Sequence, residues 1–220
     1  MSALLDYLSL VMQNFLTFFY HLTESMGYAN YGLAIILLTI VIKLLMYPLT
    51  VSQINSMKQM SFIQPKLKEL QDKYKGNPKK LNEEMAALYK SHNINPLSGC
   101  LPLIVQMPFL IAIFYAIRAY PYEGAQNFLW LTSLKDPDPL FILPVVSAAA
   151  TYLQTRMSTT PQQMEQQKMM MIFMPLFILW ISYKFPAGLV LYWAVSTIVQ
   201  IIQQYYVYKK PLQIQGEAKE

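Results

Sequence analysis

Residues 31–49, YGLAIILLTIVIKLLMYPL, decide the fold of this 220-residue chain. Lys43 is the one charged side chain in this stretch. A helix of that length rises about 28 Å, close to the roughly 30 Å hydrocarbon core of a bilayer. The same character extends over the whole sequence, of which 55% is hydrophobic and 13% charged, whereas an ordinary soluble domain has about 25% charged residues. The composition therefore excludes a soluble protein of average surface and predicts a membrane protein.

Hydropathy predicts an all-α protein with five membrane spans. They are Tyr31–Leu49, Gly99–Arg118, Leu140–Thr155, Met170–Tyr183 and Ala187–Tyr206. The third and fourth are shorter than the about 17–25 residues that a spanning helix needs. Either their boundaries extend by a few residues, or the bilayer thins around them. No acidic residue lies in any of the five.

The chain before the first span predicts an amphipathic helix. Apolar side chains recur at i, i+3 and i+4 over Ala3–Leu22, with Asp6 and Gln13 among the polar residues between them. The pattern suits a helix lying in the membrane interface, and it suits a helix packed on the bundle equally well. No basic residue precedes Lys43 and no cysteine lies near the start. We therefore expect neither a secretory signal nor a lipid anchor.

The distribution of basic residues predicts which way the spans face. Residues 51–98 carry eight lysines, the connection between the third and fourth spans carries two basic residues, and the C-terminal tail carries three. The opposite connections carry only Arg118, Lys135 and Lys184. Basic residues concentrate in cytoplasmic connections, so we expect the N-terminus outside and residues 51–98 and the C-terminus inside. The net charge of +5 thus reflects topology more than a nucleic-acid partner.

Residues 51–98 predict a cytoplasmic helical hairpin, because Gly76-Asn77-Pro78 would end one helix and begin the next. The facing apolar stripes are Ile63, Leu67, Leu70 and Tyr74 on the first helix and Leu81, Met85 and Leu88 on the second. The chain then divides into the interfacial helix (1–30), the first span (31–50), the hairpin (51–98), the other four spans (99–206) and a short tail (207–220). Within the tail, we expect Gln213–Glu220 to be disordered.

A catalytic site is not indicated anywhere in the sequence. The single cysteine, Cys100, excludes a disulfide framework, and His21 and His92 are too far apart for a metal pair. Residues 76–80, GNPKK, lack the spacing and the hydroxyl of a phosphate-binding loop. We therefore expect a protein that is not an enzyme and that holds neither a cofactor nor a metal.

The sharpest feature is Lys43, because a charge at the centre of a spanning helix costs about 2.5–3.5 kcal/mol on insertion scales. Two interpretations stay open. A water-filled cavity or a partner could compensate the charge, or the side chain could snorkel to the headgroups about 7–8 Å away. Other polar side chains within the spans could help to wet a cavity, or could serve as ordinary interhelical contacts: Thr39, Gln106, Gln154, Ser196, Thr197 and Gln200. Tyr192 and Trp193 are further candidates for its lining.

Methionines crowd the third cytoplasmic connection and the start of the fourth span. They are Met157, Met164, Met169, Met170, Met171 and Met174. Such residues make adaptable apolar surfaces, could bind copper through their thioethers, or simply fill gaps and face lipid. The copper interpretation belongs to an alternative function, a small channel or metal transporter that uses Lys43 and these methionines.

Several motifs, in order along the chain, carry a resemblance to a known family. They are YGLAII at 31–36, IKL at 42–44, YPL at 47–49, QPKLKELQ at 64–71, YK at 74–75, NPLSGCLP at 95–102, QMP at 106–108, FPAGL at 185–189 and YW at 192–193. The resemblance extends from about residue 31 to residue 206. The chain resembles the YidC-type membrane protein insertases of bacteria, which have relatives in mitochondria and chloroplasts.

The resemblance implies five spans around a hydrophilic groove that opens to the cytoplasm and to lipid. It implies an essential positive charge in the first span, usually arginine, which falls here on Lys43. Lysine keeps the charge but loses the bidentate fork of arginine. Further groove positions fall on Gln154 and Trp193, with Gln106 added. We expect no large extracytoplasmic domain, as in the compact members of Gram-positive bacteria.

The resemblance further implies insertion of nascent membrane proteins into the plasma membrane without nucleotide hydrolysis. The hairpin would contact the client, the ribosome, the signal recognition machinery or the Sec translocon, with membrane lipids as neighbours and no sequence-specific nucleic acid. Its candidate contact residues are Lys66, Lys68, Lys73, Lys79 and Lys80. Ordinary positive-inside bias and contact with anionic lipid explain their charge equally well. A structural assembly factor for the Sec translocon is a further alternative.

Overall fold

The computed structural model describes residues 3–92, 94, 101–122, 126–159 and 161–209. In these residues the fold is helical, with one isolated bridge between Phe128 and Leu131. The all-α prediction is confirmed. The helices are α1 (Ala3–Ser25), α2 (Tyr31–Leu45), α3 (Tyr47–Lys73), α4 (Pro78–Ser91), α5 (Leu101–Ala119), α6 (Ile142–Ser158), α7 (Pro161–Ser182) and α8 (Ala187–Lys209). The first residues of the predicted second span, 99 and 100, and the predicted disorder of Gln213–Glu220 lie outside the described residues.

Length and apolarity single out fewer spans than the sequence predicted. Within the described ranges, α8 alone is long and apolar enough to cross a bilayer by itself. The pair α2 and α3 passes the same test together but bends by 63°. Gln106–Ala119 and Met171–Ser182 are shorter apolar helices. The count of five spans therefore stays a prediction.

Helix α1 packs lengthwise on the bundle. Its buried stripe includes Met12, Leu16 and Phe19, and it contacts α2 and α5. The Gln13 Nε2 atom donates to the Ala116 carbonyl at 3.4 Å. The structure thus agrees with the alternative in which this helix packs on the bundle. The opposite face is apolar and exposed (its residues include Tyr7, Leu10 and Phe18), and an additional place for it in the membrane interface stays a prediction.

The predicted first span, Tyr31–Leu49, is not one straight helix, because α2 ends at Leu45 and α3 begins at Tyr47. Pro48 follows the break, and it has no N–H for the carbonyl four residues before it. The break also moves the start of the hairpin, since α3 runs without interruption from Tyr47 to Lys73.

The later part of α3 packs against the later part of α4. Ile63 and Leu67 are buried there with Ile94, and Met85 and Leu88 pack on them. The turn lies where Gly76-Asn77-Pro78 predicted it, since α3 ends at Lys73 and α4 begins at Pro78. Asn77 caps α4 by accepting from the Lys80 amide at 3.1 Å. Pro78 at the first helical position needs no partner for an amide proton.

At the other end of the bundle, residues 126–139 form what we call the closing segment. The Asn30 Nδ2 atom donates to the Asn127 carbonyl at 3.0 Å, and the Gly188 amide donates to the Leu134 carbonyl at 2.9 Å. The segment thereby joins the start of α2 to the start of α8. Its apolar side chains, Phe128, Leu131 and Leu134, are buried in the main core.

A buried carboxylate fixes the closing segment to α6. Asp138, which is 3% exposed, accepts from the Trp130 indole at 3.1 Å and from the Leu143 amide at 2.7 Å. It therefore satisfies one of the four unpaired amides at the start of that helix. Beside the segment, burial raises the pKa of Tyr122, and the neighbouring Tyr120 and Tyr31 raise it further.

Candidate functional site

Lys43 lies inside the bundle. Its side chain is 6% exposed, and its Nζ atom donates to Gln200 Oε1 at 3.0 Å. Among the interactions found in the described residues, Lys43 takes part in no ion pair. The structure therefore shows a lysine that is buried in the bundle and whose ammonium group bonds to an amide.

Helices α2 and α8 bring Lys43 and Gln200 to the same depth. Both helices start at the closing segment, where Gly32 lies against Phe128 and Gly188 against Leu134. Lys43 lies eleven positions beyond Gly32 and Gln200 lies twelve beyond Gly188, rises of about 16 and 18 Å in a helix. Lys43 is also in the last turn of α2, next to the break at Met46. The site thus sits deep in the bundle, toward the end where the hairpin begins.

A polar stripe runs along the face of α8 that includes Gln200. Its members recur at helical spacing of three and four: Trp193, Ser196, Thr197, Gln200, Gln203 and Gln204. It covers about 16 Å of the helix. Ser196, Thr197, Gln203 and Gln204 are buried, although polar side chains of this kind are mostly exposed in soluble proteins.

The other predicted groove residues lie around this stripe but do not all contact Lys43. Gln106 on α5 donates from Nε2 to the Tyr192 hydroxyl at 2.8 Å. Trp193 is half-buried, and its indole N–H has no hydrogen-bond partner among the described residues. Gln154 on α6 is half-buried, and its backbone carbonyl accepts from Ser158 at 2.9 Å. Of the four predicted residues, Lys43 bonds through its side chain to Gln200 of the stripe, and Trp193 is itself a member of the stripe.

Several polar residues of this interior were missed by sequence reasoning. Gln203 donates from Nε2 to the Lys43 carbonyl at 3.0 Å, and its buried Oε1 atom finds no partner in the described part of the chain. Gln204 donates to the Ser158 hydroxyl at 2.8 Å. On α6, Ser147 is fully buried, and its hydroxyl has no partner in the same described ranges. The available signal was the spacing of polar residues at 196, 200, 203 and 204 within an apolar helix.

The hairpin lysines are at the surface. Lys66, Lys68, Lys73, Lys79 and Lys80 are exposed. The ammonium groups of Lys73 and Lys80 lie over the Tyr74 ring, at 5.4 and 5.3 Å from its centroid, and Lys66 approaches His92 Nε2 at 3.3 Å. Nearby, a hydrogen bond from Lys75 lowers the pKa of Asp72. The arrangement leaves a basic surface on both sides of the turn.

The part of the chain that the structure describes contains no cluster of side chains that could hold a metal ion. No three His, Cys, Asp or Glu side chains come together there. Of the methionines, Met169 is exposed and Met157, Met171 and Met174 are half-buried, while the side chains of Met164 and Met170 lie outside the described set. Around Lys43, the described interior offers an ammonium group, amides, hydroxyls and unpaired hydrogen-bond atoms, which can bind a polar or anionic segment.

Comparison with known proteins matches residues 21–214 to the family described as 60Kd inner membrane protein. A protein of Fusobacterium nucleatum named Membrane protein insertase YidC is 39% identical over 206 residues, which are 94% of this chain and 99% of that protein. A protein of the same name from Geobacter sulfurreducens is 42% identical over 195 residues, or 87% of this chain. The chain spans only 35% of that longer relative.

A solved structure shows the same architecture. It is titled "Active YidC insertase crystal structure with the first transmembrane domain resolved", and it matches with a TM-score of 0.72 and 29% sequence identity. The match covers 89% of this chain and 46% of that one. The similarity therefore extends over nearly all of the fold described above.

Proposed function

Because the chain belongs to the 60Kd inner membrane protein family, together with the YidC membrane protein insertases, we propose that it inserts client proteins into the bacterial plasma membrane. The family places it in that membrane. Its clients are nascent membrane proteins, and no nucleotide is hydrolysed. The five spans, the outward N-terminus and the cytoplasmic position of α3 and α4 are part of this proposal, supported by the excess of basic residues around the hairpin.

The observation that carries the proposal is the buried Lys43 ammonium, bonded to a neutral amide. A cation in this position attracts the acidic residues of a client's N-terminal tail or short loop. The polar residues around it, including Gln106, Gln154 and Trp193, form the hydrophilic path in this mechanism. Such a path shortens the apolar distance that the polar segment must cross.

The driving force comes from the client rather than from a cofactor. Each Leu, Ile, Phe or Val of a client span gains roughly 0.3–0.6 kcal/mol on entering lipid. A membrane potential, positive outside, adds about 2.3 kcal/mol per 100 mV for each negative charge moved across. For a span of some 20 apolar residues the first term is the larger, and the charge term favours outward movement of acidic tails.

The experiment compares Lys43→Ala with Lys43→Arg in liposomes that contain the purified protein, without ATP. The client has one span and an acidic N-terminal tail. We expect Arg to keep insertion and Ala to reduce it by about tenfold or more, the factor that corresponds to losing one interaction with a charged group. If Ala inserts the client as well as Arg does, the charge has no role in the mechanism.

The hairpin is the proposed place of first contact. The exposed lysines 66, 68, 73, 79 and 80 make it basic on both sides of its turn, which suits the ribosome, the signal recognition machinery or anionic lipid. A route through the Sec translocon is compatible with the same surface. Deleting Met57–Lys90 and measuring co-sedimentation with ribosomes separates these partners, since unchanged binding removes the hairpin as the ribosome contact.

A further inference from the structure

Helix α8 holds Lys43 at both ends. Gln203 donates from Nε2 to the Lys43 backbone carbonyl at 3.0 Å, and Gln200 accepts from the Lys43 ammonium at 3.0 Å. The two glutamines are three residues apart and therefore neighbours on one helix face. The position of the charge is thus set by two amides of a helix that lies about 157 residues away in sequence.

The backbone bond follows from the break at Met46. In a continuous helix the Lys43 carbonyl would accept from the amide of residue 47. Tyr47 instead begins α3, which is bent by 63° from α2. A carbonyl in the last turn of a helix needs another donor, and Gln203 supplies it. Gln203 therefore stabilises the helix end, which leaves Gln200 as the contact to the charge itself.

The chemistry of the contact matters because glutamine is neutral. A carboxylate at position 200 would pair with the ammonium and cancel its charge. The amide oxygen accepts one of the three ammonium protons and leaves the full positive charge in place. A lysine without any partner at this depth would pay the whole cost of a lost hydrogen bond to a charged group.

We propose that Gln200 is a positioning residue that holds the Lys43 ammonium at a fixed point in the bundle as an unneutralised cation, ready for a carboxylate of the client. This inference rests on the proposed insertase function. It assigns the selectivity for acidic tails to a pair of residues, Lys43 and Gln200, rather than to Lys43 alone.

The test measures a ratio, the insertion of an acidic-tailed client divided by that of the same client with a neutral tail. Gln200→Glu introduces a carboxylate of the same shape, and the ratio falls by about tenfold because the ion pair removes the free charge. Gln200→Met keeps the length without an acceptor, and the ratio falls less. Asn127→Asp, which adds the same charge to an exposed position of the closing segment, serves as the control and leaves the ratio unchanged.

An exchange of the Lys43 and Gln200 side chains tests whether the pair holds the ammonium group at the required point. Lys43→Gln alone lowers the ratio, and Lys43→Gln combined with Gln200→Lys restores much of it, because the same pair then holds the same charge at nearly the same point. A structural role of Gln200 would lower insertion of both clients together and leave the ratio constant.

The outcomes separate the two proposals. If the wild-type protein inserts neither client, the proposed function itself is wrong. If it inserts both and Gln200→Glu leaves the ratio at its wild-type value, the function stands and the role of Gln200 is refuted. Gln200→Met gives the same decision should the glutamate variant fail to fold.

Discussion

Gly32 lies where α2 contacts the closing segment, and a larger side chain at this position would not fit. A Cβ atom added there would overlap the Phe128 side chain, which is buried and held by backbone bonds to Leu131. We expect Gly32→Ala to lower the free energy of unfolding by about 1–3 kcal/mol, as overpacking does. The gain in helix propensity, at most about 1 kcal/mol, is smaller. Thermal unfolding in detergent measures the change.

Gly76 is the matched control for this substitution. A Cβ there meets nothing within 4 Å, so Gly76→Ala should change the unfolding free energy by no more than about 0.5 kcal/mol, as surface substitutions usually do. Equal unfolding temperatures for the two alanine variants would show that Phe128 yields, and that the closing segment is not tightly packed at α2.

The sequence identifies a single functional residue only where the free-energy cost of that residue depends on its immediate sequence neighbours. Lys43 stands out because a charge in an apolar run is expensive whatever surrounds it. Gln200 appears in the same sequence as one of several polar residues in spans, and nothing local distinguishes it. Its contact with Lys43 depends on the packing of α2 against α8, which periodicity in either helix does not determine.

At the scale of helices, Lys58 ties the hairpin to the end of α8. Its Nζ atom donates to the Val207 carbonyl and lies 4.9 Å from the Tyr208 ring centroid. In a longer helix that carbonyl would accept from residue 211, which is a proline without an N–H. The negative end of the helix dipole adds to the attraction. Lys58 thus supplies a donor to a carbonyl that Pro211 could not serve.

We therefore expect Lys58→Met to loosen α3 and α4 relative to the bundle. A hydrogen bond to a charged group contributes about 1.5–3 kcal/mol, so backbone amides of residues 58–91 should exchange with deuterium about tenfold faster or more. Lys90→Met, at an exposed position of α4, is the control. Identical exchange in both variants would mean that apolar contacts alone dock the hairpin.

The helices themselves were predictable to different degrees. The turn at Gly76-Asn77-Pro78 and the stripes with Ile63 and Leu67 follow from local chemistry, and the structure has both. The break at Met46 was missed, because hydropathy does not register a bend inside an apolar run. For α1, periodicity predicted a helix but could not choose between lipid and the bundle as its neighbour.

At the scale of the molecule, the two ends of the bundle are built differently. Near the closing segment the core is aromatic and apolar, with Tyr31, Tyr120, Leu131 and Leu134 buried. Toward the hairpin it becomes polar, with Lys43 and the stripe of α8. In the proposed mechanism, a polar interior that stops at an apolar end gives a client segment a partial path and leaves the last part of its route to the lipid.

This asymmetry separates an insertase from a channel or metal transporter, the alternative that uses Lys43 and the methionines. We expect liposomes containing the protein to insert a client while they retain a small fluorescent dye and take up no copper. The reason is that dye and metal ions would have to cross the packed aromatic end, whereas an apolar span bypasses it through the lipid. Dye retention and metal uptake are read by fluorescence and elemental analysis, with a pore-forming peptide as the positive control. Copper uptake that exceeds that of empty liposomes would favour the transporter.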